Sequence, residues 1–160
     1  AQVELFINGK SVGKKKVKKC RANFNTTYQN GEITAVSYDE NGKEINRYSL
    51  QTAGKDTVLQ VRPEEKTVKP EGLAFIQLQY TDSKGIWKPM EKHNIKVTVE
   101  NGVLKGLGSP APYVKGNYTD HTVATYYGEA MAVVQADGNG PVKVTLADEE
   151  RFYVAEIPCE

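Results

Sequence analysis

The chain has 160 residues and a net charge of +1, with 39% hydrophobic and 26% charged side chains. This balance is ordinary for a folded globular protein and excludes a disordered chain or one drawn to nucleic acid or membrane by a strong global field. No apolar run approaches the roughly 18 residues of a membrane span, and the length suits one or two small domains.

The N-terminus, Ala1-Gln2-Val3-Glu4, lacks both a Met and the basic region of a secretion signal, and it enters a strand-like run at once. It reads as a piece of a larger protein, with Ala1 as a remnant. Val3, Leu5 and Ile7 alternate with Glu4 and Phe6, and Asn8-Gly9 follows as a turn. The run Lys14-Lys15-Lys16-Val17-Lys18-Lys19-Cys20-Arg21 offers a surface to anionic polymers. A hairpin edge whose lysines block strand-to-strand aggregation explains it better. Ile33 to Tyr38 is rich in β-formers, and Asn30-Gly31 and Asn41-Gly42 flank it. Type I′ turns need positive φ at both central positions, which Asn and Gly tolerate.

A boundary is expected at Val61 to Pro70, where Arg62-Pro63-Glu64-Glu65-Lys66-Thr67-Val68-Lys69-Pro70 combines two prolines with dense charge. Charge changes across it as well. Residues 1–61 carry 10 basic and 6 acidic side chains, and residues 62–160 carry 11 and 14. Beyond it, Ala74, Ile76, Leu78 and Tyr80 share one face, with Gln77 and Gln79 on the other. Ser83-Lys84-Gly85 is a reversal, Val97 and Val99 alternate with Lys96, Thr98 and Glu100, and Asn101-Gly102 turns the chain. Gly128 to Ala136 contains helix formers (Glu129, Ala130, Met131 and Ala132) but lies between reversals and is read as a strand. Asp137-Gly138-Asn139-Gly140 and the alternating Val142, Val144 and Leu146 follow. Period-2 strands with frequent turns predict an all-β protein with little or no helix, built as tandem immunoglobulin-like β-sandwiches. The expected units are residues 1–61, short for a sandwich and so lacking an N-terminal strand, and residues 62–160.

No catalytic constellation emerges. Glu64-Glu65 and Glu149-Glu150 sit in charged, turn-like stretches where solvated surface is the ordinary state. Ser109, Asp120 and His121 share residue types with a triad but lack a nucleophile elbow. His93 and His121 have no partners at metal spacing, and Asp82, Asp120 and Asp137 belong to no DxDxDG loop. Cys20 and Cys159 read as two free thiols. No cofactor is expected. Tyr113, Tyr118, Tyr126 and Tyr127 are the candidate contact residues, with Trp87 placed elsewhere. Amphipathic rings suit either a sugar or a domain interface.

Three stretches together carry a resemblance. Val3-Glu4-Leu5-Phe6-Ile7-Asn8-Gly9-Lys10-Ser11-Val12-Gly13 resembles the VELFLNGKSLG hairpin of a module that follows the catalytic barrel in family 2 glycoside hydrolases. Gly31 to Asp39 and Leu50 to Lys55 are similar to that module's later strands, in order. The second half is similar to the immunoglobulin-like or invasin-like domain that often comes next. Its marks are Leu73 to Ile76 with Tyr80 to Gly85, Gly102 to Pro110, and Tyr126 to Val134.

The resemblance, to C-terminal accessory domains of the β-galactosidase type, implies a bacterial, exported parent. That parent would hydrolyse β-glycosides with two barrel glutamates about 5–5.5 Å apart, on a fold of about 250 residues. The chain itself is then non-catalytic. Its expected partner is the catalytic domain of the same parent chain, with polysaccharide as a further partner and no nucleic acid. A carbohydrate-binding module and a cell-surface adhesin are the other two readings.

Overall fold

A computed structural model describes every residue except Lys115. Among the described residues there are twelve β-strands and no helix. They fall into two compact units, Ala1–Thr52 and Ala53–Glu160.

The first unit is a four-stranded antiparallel sheet in the order β2-β1-β3-β4. Its strands are β1 (Gln2–Ile7), β2 (Lys10–Lys16), β3 (Glu32–Tyr38) and β4 (Glu44–Gln51). The Asn8-Gly9 turn joins β1 to β2 with φ of 50° and 76°, the pair of positive angles that a type I′ hairpin requires. Asn8 also accepts the amide of Glu32 on Oδ1 and donates from Nδ2 to the carbonyl of Asn30, so the turn is tied to the start of β3. β2 is an edge strand, and its lysines are exposed. Lys14 Nζ lies 3.5 Å from the centre of the Tyr38 ring, and Lys15 Nζ donates to the carbonyl of Asn23.

The second unit is a sandwich of two four-stranded sheets, β5-β6-β10-β8 and β12-β11-β7-β9. The strands are β5 (Val58–Pro63), β6 (Leu73–Thr81), β7 (Asn94–Glu100), β8 (Gly102–Gly108), β9 (Thr122–Ala124), β10 (Glu129–Ala136), β11 (Val142–Ala147) and β12 (Phe152–Ile157). With β9 left aside as an extra strand beside β7, the strands from β5 follow the ABED and GFC arrangement of an immunoglobulin-type sandwich. The period-2 patterns supply the core. Ile76, Leu78 and Tyr80 of β6 meet Ile95 and Val97 of β7, Val134 of β10, and Val142, Val144 and Leu146 of β11, all essentially without solvent contact. Packing of this kind is the main stabilising term of a sandwich.

The turns are less uniform than the Asn-Gly pairs suggest. At Asn101-Gly102 only Asn101 has positive φ, 56°. That corner passes from one sheet to the other rather than closing a hairpin. A Cβ on Gly102 would stand 2.6 Å from the carbonyl oxygen of Gln135, so close backbone approach explains this glycine. Two turns without Asn take positive φ at both central positions instead: Lys19-Cys20 (49° and 61°) and Tyr127-Gly128 (51° and 71°).

Candidate functional site

One end of the sandwich gathers aromatic side chains from two loops. Trp87 lies on the β6–β7 loop, and Tyr126 and Tyr127 lie on the turn before β10. Both loops bond to the backbone of Tyr80 in β6. Tyr80 donates its amide to the carbonyl of Gly128, and Lys88 donates its amide to the carbonyl of Tyr80. A Cβ on Gly128 would come within 2.5 Å of the Lys88 carbonyl oxygen, so only glycine admits this approach. The Trp87 indole N–H donates to the carbonyl of Tyr127 at 2.8 Å. Tyr126 and Tyr127 meet edge to face, with ring centroids 4.5 Å apart. All three rings stay open to solvent: Trp87 is 44% exposed, Tyr126 37% and Tyr127 56%.

The β6–β7 loop is pinned from below. The Asp82 carboxylate accepts the amides of Gly54, Lys84 and Ile86, and these bonds, that from Gly54 foremost, hold its pKa below the usual range. Lys88 Nζ reaches the carbonyls of Lys55 and Asp56, the Thr57 hydroxyl and Glu91 Oε1. Glu91 also accepts from the Thr57 hydroxyl, and its Oε2 lies 2.9 Å from His93 Nε2. Burial alone would raise the Glu91 pKa. The hydrogen bonds from His93, Lys88 and Thr57, with the charge of Lys88, outweigh burial and bring it down to about 2.

Beneath this lies a second polar group. The Tyr80 hydroxyl donates to Asp148 Oδ2 at 2.6 Å, and Arg151 Nη1 stands 3.2 Å from the same oxygen. Asp148 Oδ1 accepts the amides of Glu150 and Arg151. Burial pushes the phenol of Tyr80 up, while the donors around Asp148 overcome its own burial and keep that carboxyl low. Every partner here is satisfied within the chain, which is the mark of a structural network.

Of the tyrosines singled out in the sequence, the structure brings Tyr126 and Tyr127 together and adds Trp87, which strand spacing alone had set apart from them. Tyr118 lies elsewhere, its ring against Gly108, where a Cβ would be 2.9 Å away. It borders an open groove of about 670 Å³ over β6, β8 and β10, lined also by Arg62, Gln77, Glu129, Met131 and Val133. Tyr113 is 94% exposed on the loop after β8. Lys15, Lys16, Lys18, Lys19 and Arg21 line a separate groove in the first unit.

The triad-like residues do not orient one another. His121 Nδ1 faces the carbonyl of Val97, and Asp120 accepts the amide of Asn117. Glu64 accepts from Gln77, Glu149 approaches His93 at 3.6 Å, and Glu150 pairs with Arg151. Asp137 accepts the amide of Asn139 in its turn. Among the described residues, no three His, Cys, Asp or Glu side chains converge as metal ligands. Cys20 and Cys159 are free.

An immunoglobulin-type sandwich whose carboxylates hold turns and loops, and whose exposed end is aromatic, is the class of module that the fold defines. Comparison with known proteins gives it a family. The family model "Glycoside hydrolase family 2 C-terminal domain 5" matches residues 58–152, and the model "Domain of unknown function (DUF4982)" matches residues 1–46. The chain belongs to the glycoside hydrolase family 2 C-terminal domain 5 family.

A β-galactosidase of Bacteroides ovatus is 28% identical over 166 residues, which cover 99% of this chain and 19% of the relative. The crystal structure of a family 2 glycosyl hydrolase from Bacteroides cellulosilyticus superposes with a TM-score of 0.93 at 26% identity, covering 99% of this chain and 21% of that one. A family 2 β-glucuronidase shares the fold at 17% identity, with a TM-score of 0.82, covering 100% of this chain and 18% of that one. The chain thus spans about a fifth of the length of these relatives.

Proposed function

We propose that this chain works as the non-catalytic C-terminal part of a family 2 glycosidase of the β-galactosidase type, where it stabilises or positions a catalytic barrel carried elsewhere in the same protein. The observation that carries this reading is the alignment of 99% of the chain with 19% of a β-galactosidase. A bacterial, exported parent belongs to the same proposal.

The outward face of the β5-β6-β10-β8 sheet supports the contact. Sandwich strands ordinarily turn polar residues outward, and β7 does so with Lys96, Thr98 and Glu100. On the other sheet Leu73, Phe75, Val103 and Met131 are outward and exposed, and Val133 stands opposite Phe75 in the register. Apolar surface of this kind, with Gln77 and Gln135 between its members, fits a partner domain.

The test is a full-length parent enzyme with and without this segment, followed by thermal melting and by kcat/KM on a nitrophenyl β-galactoside. Loss of the segment should lower the melting temperature of the catalytic part or reduce kcat/KM. An unchanged melting temperature with unchanged kinetics refutes the proposal.

A further inference from the structure

We propose that Trp87, Tyr126 and Tyr127 form a binding platform for a neutral β-linked oligosaccharide, with the rings stacking on the apolar face of a pyranose. The choice of a glycan as occupant rests on the attachment to a glycosidase proposed above. The geometry of the platform does not depend on that attachment.

Four observations converge. Three exposed rings from two separate loops meet at one place, and their arrangement is fixed rather than loose. The indole N–H is already committed to the Tyr127 carbonyl, so Trp87 offers ring surface outward. Second, Tyr127 sits at φ 51° in the first central position of a type I′ turn, where Asn or Gly is the comfortable choice. A bulky residue there is strained, and such strain gathers at ligand-contacting positions. Third, Gly128 is held by the close approach of the Lys88 carbonyl, which locks the two loops in register. A platform ordered in advance avoids an ordering cost on binding.

The fourth observation is charge. Lys88, Glu91 and His93, on the same loop as Trp87, face one another, with Thr57 and Glu149 completing the group. Among the described residues no cation lies over these three rings, which suits a neutral sugar over a uronic acid. The composition also separates this surface from the mainly aliphatic stripe on the β5-β6-β10-β8 face, whose one ring, Phe75, has no polar tip. Aromatic rings with wet hydroxyl tips match a ligand that is apolar on one face and hydroxylated at its edge, whereas aliphatic side chains match a protein.

Trp87 is the sole tryptophan of the chain, so its emission reports on this site directly. The experiment titrates the 160-residue chain with β-1,4-galactotetraose and, separately, with xylotetraose, and follows tryptophan fluorescence at low and high salt. The expected result is a saturable change with at least one of them, with half-saturation near 1 mM and little effect of salt. Tyr127→Asn should bind about tenfold more weakly, yet melt no lower than the parent chain, because Asn fits the turn.

Emission that stays constant with both saccharides to about ten times that concentration overturns the proposal, as does equal affinity in Tyr127→Asn. A signal that moves only when the parent's separate catalytic domain is added also overturns it, and assigns the rings to a domain contact. The truncation test above reads the melting of the catalytic part, so failure of the platform and failure of the accessory role are separate results.

Discussion

Glu91 offers the sharpest quantitative test of how the aromatic end is held. Its carboxylate takes Lys88 Nζ at 2.9 Å, the Thr57 hydroxyl at 3.0 Å and His93 Nε2 at 2.9 Å. The side chain is 24% exposed, so solvent screens these contacts only in part. The pKa falls from 4.5 to about 2. A depressed carboxyl pKa contributes stability that is complete above the unfolded value and is lost as the pH falls through the folded one. The window here runs from pH 4.5 down to about 2. At about 1.4 kcal/mol per pKa unit, the linked contribution is on the order of 3 kcal/mol.

Glu91→Gln imitates the protonated form. The variant should therefore be about 3 kcal/mol less stable at pH 7, a fall of roughly 10–15 °C in melting temperature for a unit of this size. The deficit should shrink toward zero as the pH approaches 2. Urea unfolding of both proteins at a series of pH values between 2 and 7 measures it. A deficit that stays constant across the series, or one under about 0.5 kcal/mol at pH 7, refutes the reasoning.

Two other substitutions test separate parts of the structure. Tyr80→Phe removes the donor at 2.6 Å from Asp148 and leaves that fully buried carboxylate with Arg151 and two amides. It should cost about 2 kcal/mol in urea unfolding near neutral pH. The loss should lessen in acid, because Asp148 too is held below its ordinary pKa. Cys20→Gly relieves a positive φ of 61° in the exposed turn between Lys18 and Arg21. It should stabilise the first unit by up to about 1 kcal/mol, read as a higher melting temperature under reducing conditions.

Much of the fold was legible because β-structure writes itself locally. Alternation at Ala74, Ile76, Leu78 and Tyr80, or at Val142, Val144 and Leu146, states which face is buried, since successive side chains on a strand point to opposite sides. Asn8-Gly9 announces its own turn, because few other residue pairs accept two positive φ angles. Other turns could not be read this way. Tyr127-Gly128 and Lys19-Cys20 adopt the same geometry with residues that do not favour it, under constraints supplied by neighbouring strands.

The aromatic end lies furthest from the reach of sequence. Trp87 and Tyr127 are 40 positions apart, and a hydrogen bond between two loops joins them. Tyr113 and Tyr118, much nearer to Tyr126 in sequence, take no part in that contact. Pairing of β6 with β10 brings Gln79 opposite Glu129 and so carries the two loops to the same end of the sheet. Strand class and core were therefore set by the sequence alone, because period and turn preference are properties of short segments. Which side chains share a surface was decided by the tertiary structure, because strand order and register depend on contacts between distant segments.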